Sequence, residues 1–399
     1  MRIRSNSGNS IHRVATTILL VSAIVMLNSS CQSTEEKTSP NLIVIMVDDM
    51  GYADVGFNGC KDIPTPNIDR IAENGIRFTS GYTTYSVCSP SRAGFITGRY
   101  PQRFGYERNV QYRPGDPNMG LSKEEMTLAS NLNQVGYHSG IIGKWHMGAH
   151  LSNHPLNRGF DEFYGFRGGF IDNYTHFFLH GMGFHDLWEN NEEIFDRGSY
   201  FPTLMTEKTI QFIEENKNEP FFAYVAFNLP HYPEQAEGPF LSMYADLDEP
   251  RKSYARVVSA VDDKIGQIIN KLKELDIYEN TAVFYMSDNG HSTEETMIRF
   301  DNHNSGIPKG TNYCANGGGG FTGKWRGAKG GFLEGGIRVP VIITYPDKFK
   351  GNQTRDQIVS GMDIFPTICE ITGTKLPDCV IDGHSLLPII ESDEAVSKH

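Results

Sequence analysis

Cys88, Ser89, Pro90, Ser91 and Arg92 put a thiol and a guanidinium one helical turn apart. Pro90 and Ser91 suit the first turn of a helix, with Phe95 and Ile96 on its buried side. Cys88 would then stand at or just before a helix N-terminus, where amide N–H groups favour an anion. Taken alone, the pair reads equally as a small buried thiol beside a surface arginine. Four other clusters bear on the choice: Asp48-Asp49, Lys144 with His146, His231, and Asp288-Asn289, each just after an apolar run. In an open α/β sheet the carboxyl ends of the strands share one edge, and ligands bind there. Singly, each cluster could be a helix cap, a turn or a solvated loop; together they describe one pocket. Three carboxylates and an amide form a hard-oxygen set suited to Ca²⁺ or Mg²⁺ rather than Zn²⁺ or Cu. Arg92, Lys144 and Lys329 supply cations, and His146 and His231 supply proton donors or acceptors. A divalent ion ringed in this way can hold a tetrahedral oxyanion and stabilise charge on its oxygens during displacement.

Those residues need a sheet to gather them. Residues 42–47 are continuously apolar, as a strand buried on both faces requires, and run into Asp48. Further strands are expected at 139–142, 221–227, 281–287 and 341–345. Helices are expected from Thr65-Pro66 to Gly75, around Leu128, Leu132 and Val135, around Ile210 and Ile213, over 254–275, and over 364–372. The alternation predicts an α/β fold with a large mixed, mostly parallel sheet flanked by helices on both faces. Residues 159–188 are rich in Phe, Tyr, Gly and His without a period, which predicts a long irregular insertion near the site. Residues 299–320 read as a polar, Gly-rich loop; its glycine run has neither a preceding strand nor a following Gly-Lys-Ser/Thr, so it is not a phosphate-binding loop.

The chain has 399 residues, room for one large α/β domain or a large and a small one. A net charge of −12 argues against a nucleic-acid partner but leaves an anionic substrate open, because a basic pocket can sit in an acidic protein. Arg2, Arg4 and Arg13 precede an apolar run over 15–27 that is short for a membrane span, the pattern of a secretory signal. Small residues before Cys31 resemble a lipoprotein cleavage site. Residues 1–31 are therefore expected to be a signal peptide cleaved before Cys31, and 32–40 a tether. The expectation is an exported periplasmic or cell-surface lipoprotein of a bacterium, held to the membrane only by a lipid anchor; simple secretion is the alternative. Of the remaining cysteines, Cys369 and Cys379 are close enough in sequence to be candidates for a disulfide, though spacing does not fix connectivity.

The segment Cys88-Ser-Pro-Ser-Arg92 with Thr97-Gly98-Arg99 resembles the type I, formylglycine-dependent sulfatases, the arylsulfatase family of the alkaline phosphatase superfamily. Gly143-Lys144-Trp145-His146, Pro230-His231, Ser287-Asp288-Asn289-Gly290 and the segment from Lys329 to Pro340 occur in that family's order. The resemblance covers roughly residues 41–387. It implies an alkaline-phosphatase-like fold, a catalytic domain over 41–399, and oxidation of Cys88 to formylglycine by a maturation enzyme. One hydroxyl of the aldehyde hydrate would attack sulfur, and loss of the second hydroxyl's proton would expel sulfate. Asp48, Asp49, Asp288, Asn289 and the modified Cys88 would bind Ca²⁺, with Mg²⁺ as the other candidate. Arg92 and Lys144 would hold the hydrate, His146 would be the base that triggers elimination, and His231 with Lys329 would contact the sulfate and help protonate the leaving oxygen.

The resemblance departs at the C-terminus. Gly383-His384-Ser385-Leu386-Leu387-Pro388 is followed by eleven residues, where the family usually continues into a smaller subdomain, so that subdomain is expected to be absent or truncated. The expected activity is hydrolysis of sulfate esters on sulfated glycans or glycosaminoglycan sugars. Two alternatives are a phosphate or phosphonate ester hydrolase on the same fold, and an inactive protein that binds sulfated glycans.

Overall fold

A computed structural model of the chain describes Met1 and residues 39–399. The signal peptide, Cys31 and the tether up to residue 38 lie outside the described residues. Among the described residues no helix is long and apolar enough to cross a membrane.

Residues from Pro40 to His399 form one compact unit around a ten-stranded sheet. Its strands are β1 (Asn41–Asp48), β2 (Ile76–Tyr82), β3 (His138–Lys144), β4 (Glu162–Phe166), β7 (Trp188–Glu189), β8 (Glu192–Glu193), β9 (Phe221–Pro230), β10 (Thr281–Ser287), β13 (Val341–Thr344) and β14 (Gln353–Ser360). Two-stranded pairs are formed by β5 (Phe177–Phe178) with β6 (Phe184–His185), and by β11 (Glu295–Met297) with β12 (Asn312–Asn316). The sheet order is β14-β2-β13-β10-β1-β9-β3-β4-β7-β8. The central run β10-β1-β9-β3-β4 is parallel, and β13 and β7 join it antiparallel on either side.

β1 shows why this sheet needs two helical layers. Ile43, Ile45 and Val47 point into one hydrophobic cluster, and Leu42, Val44 and Met46 into the other. Period-2 alternation sends successive side chains to opposite faces, so a strand apolar at every position must be covered on both. The main helices are α1 (Pro66–Glu73), α2 (Cys88–Thr97), α3 (Leu128–Leu132), α4 (Phe201–Asn216), α5 (Arg251–Glu274), α6 (Glu334–Ile337), α7 (Ile364–Thr372) and α8 (Leu387–Glu391). In α5, Val258, Val261, Ile265, Ile268, Ile269 and Leu272 form the buried stripe, packing with Ile68 and Ile71 of α1 into the first cluster.

The expected α/β class and the mostly parallel sheet are present, with three corrections. The aromatic insertion over 159–188 is not wholly irregular: it carries β4, the β5–β6 pair and the start of β7. The Gly-rich stretch 299–320 contains β12, which pairs with β11. Cys369 and Cys379 are both free thiols; Cys369 is buried and accepts a hydrogen bond from Asn131 Nδ2 at 3.3 Å, while Cys379 is exposed.

Candidate functional site

Four neighbouring parallel strands deliver the site. Asp48 is the last residue of β1, Lys144 the last of β3, His231 follows β9, and Asp288 follows β10. In the sheet order these strands stand side by side, so their carboxyl ends bring together residues separated by up to 240 positions. Cys88 opens α2, whose ten residues are all buried, so the helix presents no solvated face and is held from every side.

Around Cys88 the carboxylates converge. Its Sγ is 3.5 Å from Asp48 Oδ1 and 4.0 Å from Asp49 Oδ1. Ligand atoms of Asp48, Asp49, Cys88 and Asp288 all lie within 4.8 Å of one another, and all four residues are buried. Asn289 Nδ2 donates to Asp49 Oδ1 at 2.6 Å, which leaves Asn289 Oδ1 buried without a hydrogen-bond partner. Buried polar atoms are rarely orphaned, and this one is a hard oxygen beside three carboxylates. The residues present therefore fit a hard divalent cation.

Cations surround the acids. Arg92 Nε donates to Asp288 Oδ2 at 2.9 Å, and its Nη1 donates to the Lys144 carbonyl at 3.1 Å. Lys144 Nζ lies 2.6 Å from Asp48 Oδ2, and Lys329 Nζ lies 2.8 Å from Asp49 Oδ2. Burial pushes the Asp48 carboxyl up to about 8 despite Lys144 and Arg92, with Asp288 and Asp49 adding to the rise. Burial also acts against Asp49, but Lys329, His231 and Lys144 outweigh it and hold that carboxyl at about 2. Burial alone would lower Lys329; Asp49 above all keeps it well above the usual lysine range, a fixed positive charge.

The Cys88 thiol is pushed far up, by burial first and then by Asp48 and Asp288, against the pull of Lys144 and Lys329. A thiol in that condition is a poor thiolate nucleophile.

His146 and His231 are both held neutral. Burial lowers His146 well below the usual imidazole range, and Lys144 and Arg92 lower it further; its Nδ1 has no partner. Its backbone carbonyl accepts from Ser89 Oγ at 2.7 Å, which ties the left-handed His146 backbone (φ 53°) to α2. His231 is lowered by burial and by Lys329. Its Nδ1 donates to the Tyr232 carbonyl at 2.6 Å, so the neutral ring carries its lone pair on Nε2, 3.6 Å from Asp49 Oδ2. The Phe170 ring stacks on His231 at 5.5 Å.

The segment from Glu334 to Arg338 acts from behind. Gly290 N donates to the Gly336 carbonyl at 3.0 Å, and a Cβ on Gly290 would stand 1.9 Å from the Gly335 oxygen. Only glycine lets the Asp288-Asn289-Gly290 turn come so close to α6. Arg338 bonds the Thr79 carbonyl and Glu334 and lies 4.1 Å over the Trp325 ring, fixing that turn of chain.

The structure thus gathers the expected residues around Cys88, and Cys88, His146, His231 and Lys329 line a cavity of about 560 Å³. The cavity walls contain residues that sequence reasoning missed. Asn109, Tyr112 and Glu294 come from loops without motif or period, whereas Phe170, Phe178, His180 and Phe184 come from the aromatic insertion whose composition flagged it. Tyr112 stacks on Phe184 at 3.9 Å, and Phe184 on Phe178 at 4.8 Å, forming a continuous aromatic side. Thr83 was also missed: its hydroxyl touches Ser91 Oγ and donates to the Asp288 carbonyl at 2.5 Å, joining α2 to the end of β10.

Comparison with known proteins gives a consistent result. A family model described as Sulfatase matches residues 40–374. The chain is 33% identical to N-acetylgalactosamine-6-sulfatase of Mus musculus, over 93% of this chain and 69% of that protein. It superposes on the crystal structure of Ps i-CgsB in complex with k-i-k-neocarrahexaose with a TM-score of 0.77 and 32% identity, covering 90% of this chain and 77% of that one. It also shares its fold with the phosphonate monoester hydrolase of Agrobacterium radiobacter, at a TM-score of 0.61 and 20% identity over 90% of this chain and 79% of that one.

Proposed function

Starting from the fact that the chain belongs to the sulfatase family and is a sulfate ester hydrolase of alkaline-phosphatase-like fold, we propose that its substrates are sulfated sugars of glycans, with residue 88 acting as formylglycine. The observation that carries this reading is the position of Cys88 Sγ, within 4.8 Å of ligand atoms from three buried carboxylates. The related enzymes named for N-acetylgalactosamine-6-sulfate and the neocarrahexaose complex support a sugar substrate for this chain as well.

Asp48, Asp49, Asp288, Asn289 and the modified residue 88 would hold Ca²⁺, or Mg²⁺ in its place. When present, the aldehyde hydrate supplies a hydroxyl nucleophile with a second hydroxyl for release, and the ion supplies Lewis-acid stabilisation of sulfate oxygens. The chain's own residues do the rest. Lys329 presents a fixed ammonium to the sulfate, and Lys144 and Arg92 anchor residue 88 from below while balancing the carboxylates. His146, neutral and with a free ring nitrogen, accepts the proton whose loss releases sulfate. Lys329 would stay charged and donate hydrogen bonds to the sulfate, while His231, with its lone pair on Nε2 in the resting site, would protonate the leaving oxygen only after taking up a proton from solvent.

We propose further that the protein is exported as a lipid-anchored periplasmic or cell-surface enzyme, on the strength of the leader pattern before Cys31 alone. Peptide mass spectrometry across Cys88, with turnover of nitrophenyl sulfate against nitrophenyl phosphate, tests the central reading. A thiol in every molecule from the native host, or a strong preference for the phosphate, would overturn it.

A further inference from the structure

Two further cavities adjoin the catalytic cavity and share wall residues with it. One, of about 490 Å³, meets it across His180, Tyr232 and Glu294. The other, of about 580 Å³, meets it across Asn109 and Val110. The two shared walls have no residue in common, so the side cavities adjoin it at different places. Each of the three volumes falls in the range that holds a small ligand, roughly 300–1,000 Å³.

Both flanks carry charge without a protein partner. Arg299 lines the first, and Arg108 and Lys123 line the second; among the described residues none of the three has an ion pair, and all are exposed. Met297 and Phe300 stand exposed beside Arg299, apolar side chains on which a sugar ring could rest. Both flanks are also fixed to the reaction centre. Ile298, next to Arg299, is buried in a small cluster with Phe170 and Tyr232, and Phe170 stacks on His231. On the other side Asn109 Oδ1 accepts from the backbone N–H of Ser89, the neighbour of Cys88, at 3.0 Å.

Resting on the sulfatase reading above, we infer that these three cavities form one through-groove, in which the enzyme removes sulfate from internal sugars of an anionic glycan chain. The reacting sugar would fill the central cavity, and its two neighbours would fill the flanks. Arg299 on one side and Arg108 with Lys123 on the other would pair with the neighbours' sulfate or carboxylate groups. The glutamates there, Glu294 and Glu295 on the first flank and Glu107 and Glu124 on the second, would accept hydrogen bonds from sugar hydroxyls. A cavity closed around a chain end would instead hold one sugar and reject a continuing chain.

The test uses the matured enzyme on intact sulfated galactan, galactosaminoglycan and glucosaminoglycan polymers, with chain length followed by gel filtration and sulfate by ion chromatography. Release of most of the sulfate from at least one polymer with no change in chain length is expected. Release that stops at one sulfate per chain end, or turnover of nitrophenyl sulfate with none from any polymer, overturns the inference. Failure on nitrophenyl sulfate as well would instead overturn the sulfatase reading. Arg299→Glu should lower the ratio of kcat/KM on the polymer to that on nitrophenyl sulfate by about tenfold, corresponding to one lost ion pair; an unchanged ratio removes Arg299 from the groove.

Discussion

Lys144 Nζ lies 2.6 Å from Asp48 Oδ2 with neither side chain exposed, and the two belong to strands that are not neighbours, since β9 runs between β3 and β1. The pair bridges the end of β9, just where that strand turns toward His231. It therefore binds three strand ends into one rigid floor as well as balancing charge.

Removing one partner should expose its value. Lys144→Met leaves buried Asp48 with Arg92, 3.7 Å away, as its remaining cation, and is expected to cost about 3 kcal/mol of stability in chemical denaturation. Lys144→Met with Asp48→Asn should recover much of that loss. Strictly additive effects in the double-mutant cycle would show that the pair is not coupled.

Cys88 should be chemically quiet as a thiol. In protein made without the maturation enzyme, a thiol reagent at pH 7 should label exposed Cys379 much faster than buried Cys88. Cys88→Ala should leave the fold intact by circular dichroism and lower turnover of nitrophenyl sulfate by at least ~10³-fold. Rapid labelling of Cys88 would contradict the burial that raises it.

Chelation should destabilise as well as inactivate. The buried carboxylates and the orphaned Asn289 Oδ1 want a cation, so Ca²⁺ at a hundred times its Kd should add about 2.7 kcal/mol to the folded state. The measurement is Tm in EDTA and after Ca²⁺ is restored. A Tm that does not move would argue against an ion at this position.

A fourth prediction concerns Glu234, away from the site. Its carboxyl accepts from Ser253 Oγ and from Asn316 Nδ2 at 3.3 Å, and burial raises it to about 8 from a usual 4.5. An acid raised in the folded state gives stability that is present below its unfolded value and lost as pH climbs through the folded one. Stability should thus fall between pH 4.5 and 8. Glu234→Gln, which keeps the shape, should flatten that fall and be more stable than the parent by about 2 kcal/mol or more at pH 8, with little difference at pH 4.5. Denaturation curves at both pH values decide it.

The strand-end members of the reactive floor were legible because they follow mostly apolar runs, as at 42–47 before Asp48 and 281–287 before Asp288, whereas Cys88, Arg92 and Lys329 were legible only through the family resemblance. Burial on both faces writes such strands into the sequence without help from their neighbours. The strands at one sheet edge were not legible: β2 reads Ile-Arg-Phe-Thr-Ser-Gly-Tyr and β14 Gln-Thr-Arg-Asp-Gln-Ile-Val-Ser, each partly solvated. Their pairing is decided by partners distant in the chain, Arg77 beside Ile342 and Thr354 for example. The cavity walls were hidden for the same reason. Asn109 and Glu294 matter only because the fold sets them beside Ser89 and Lys329, and nothing in their own neighbourhood announces it.

The complete burial of α2 has a consequence for the order of events in the protein's biogenesis. With Cys88 about 1% exposed and no residue of its helix at the surface, no second protein could grasp this stretch once the domain has closed. If residue 88 works as formylglycine, as proposed above, an oxidising partner would have to meet it as extended chain, in competition with the collapse of β1 and β10 around it. The share of active molecules would then be decided by a race between two rates before folding ends, and chains that lose it would stay unmodified unless unfolded.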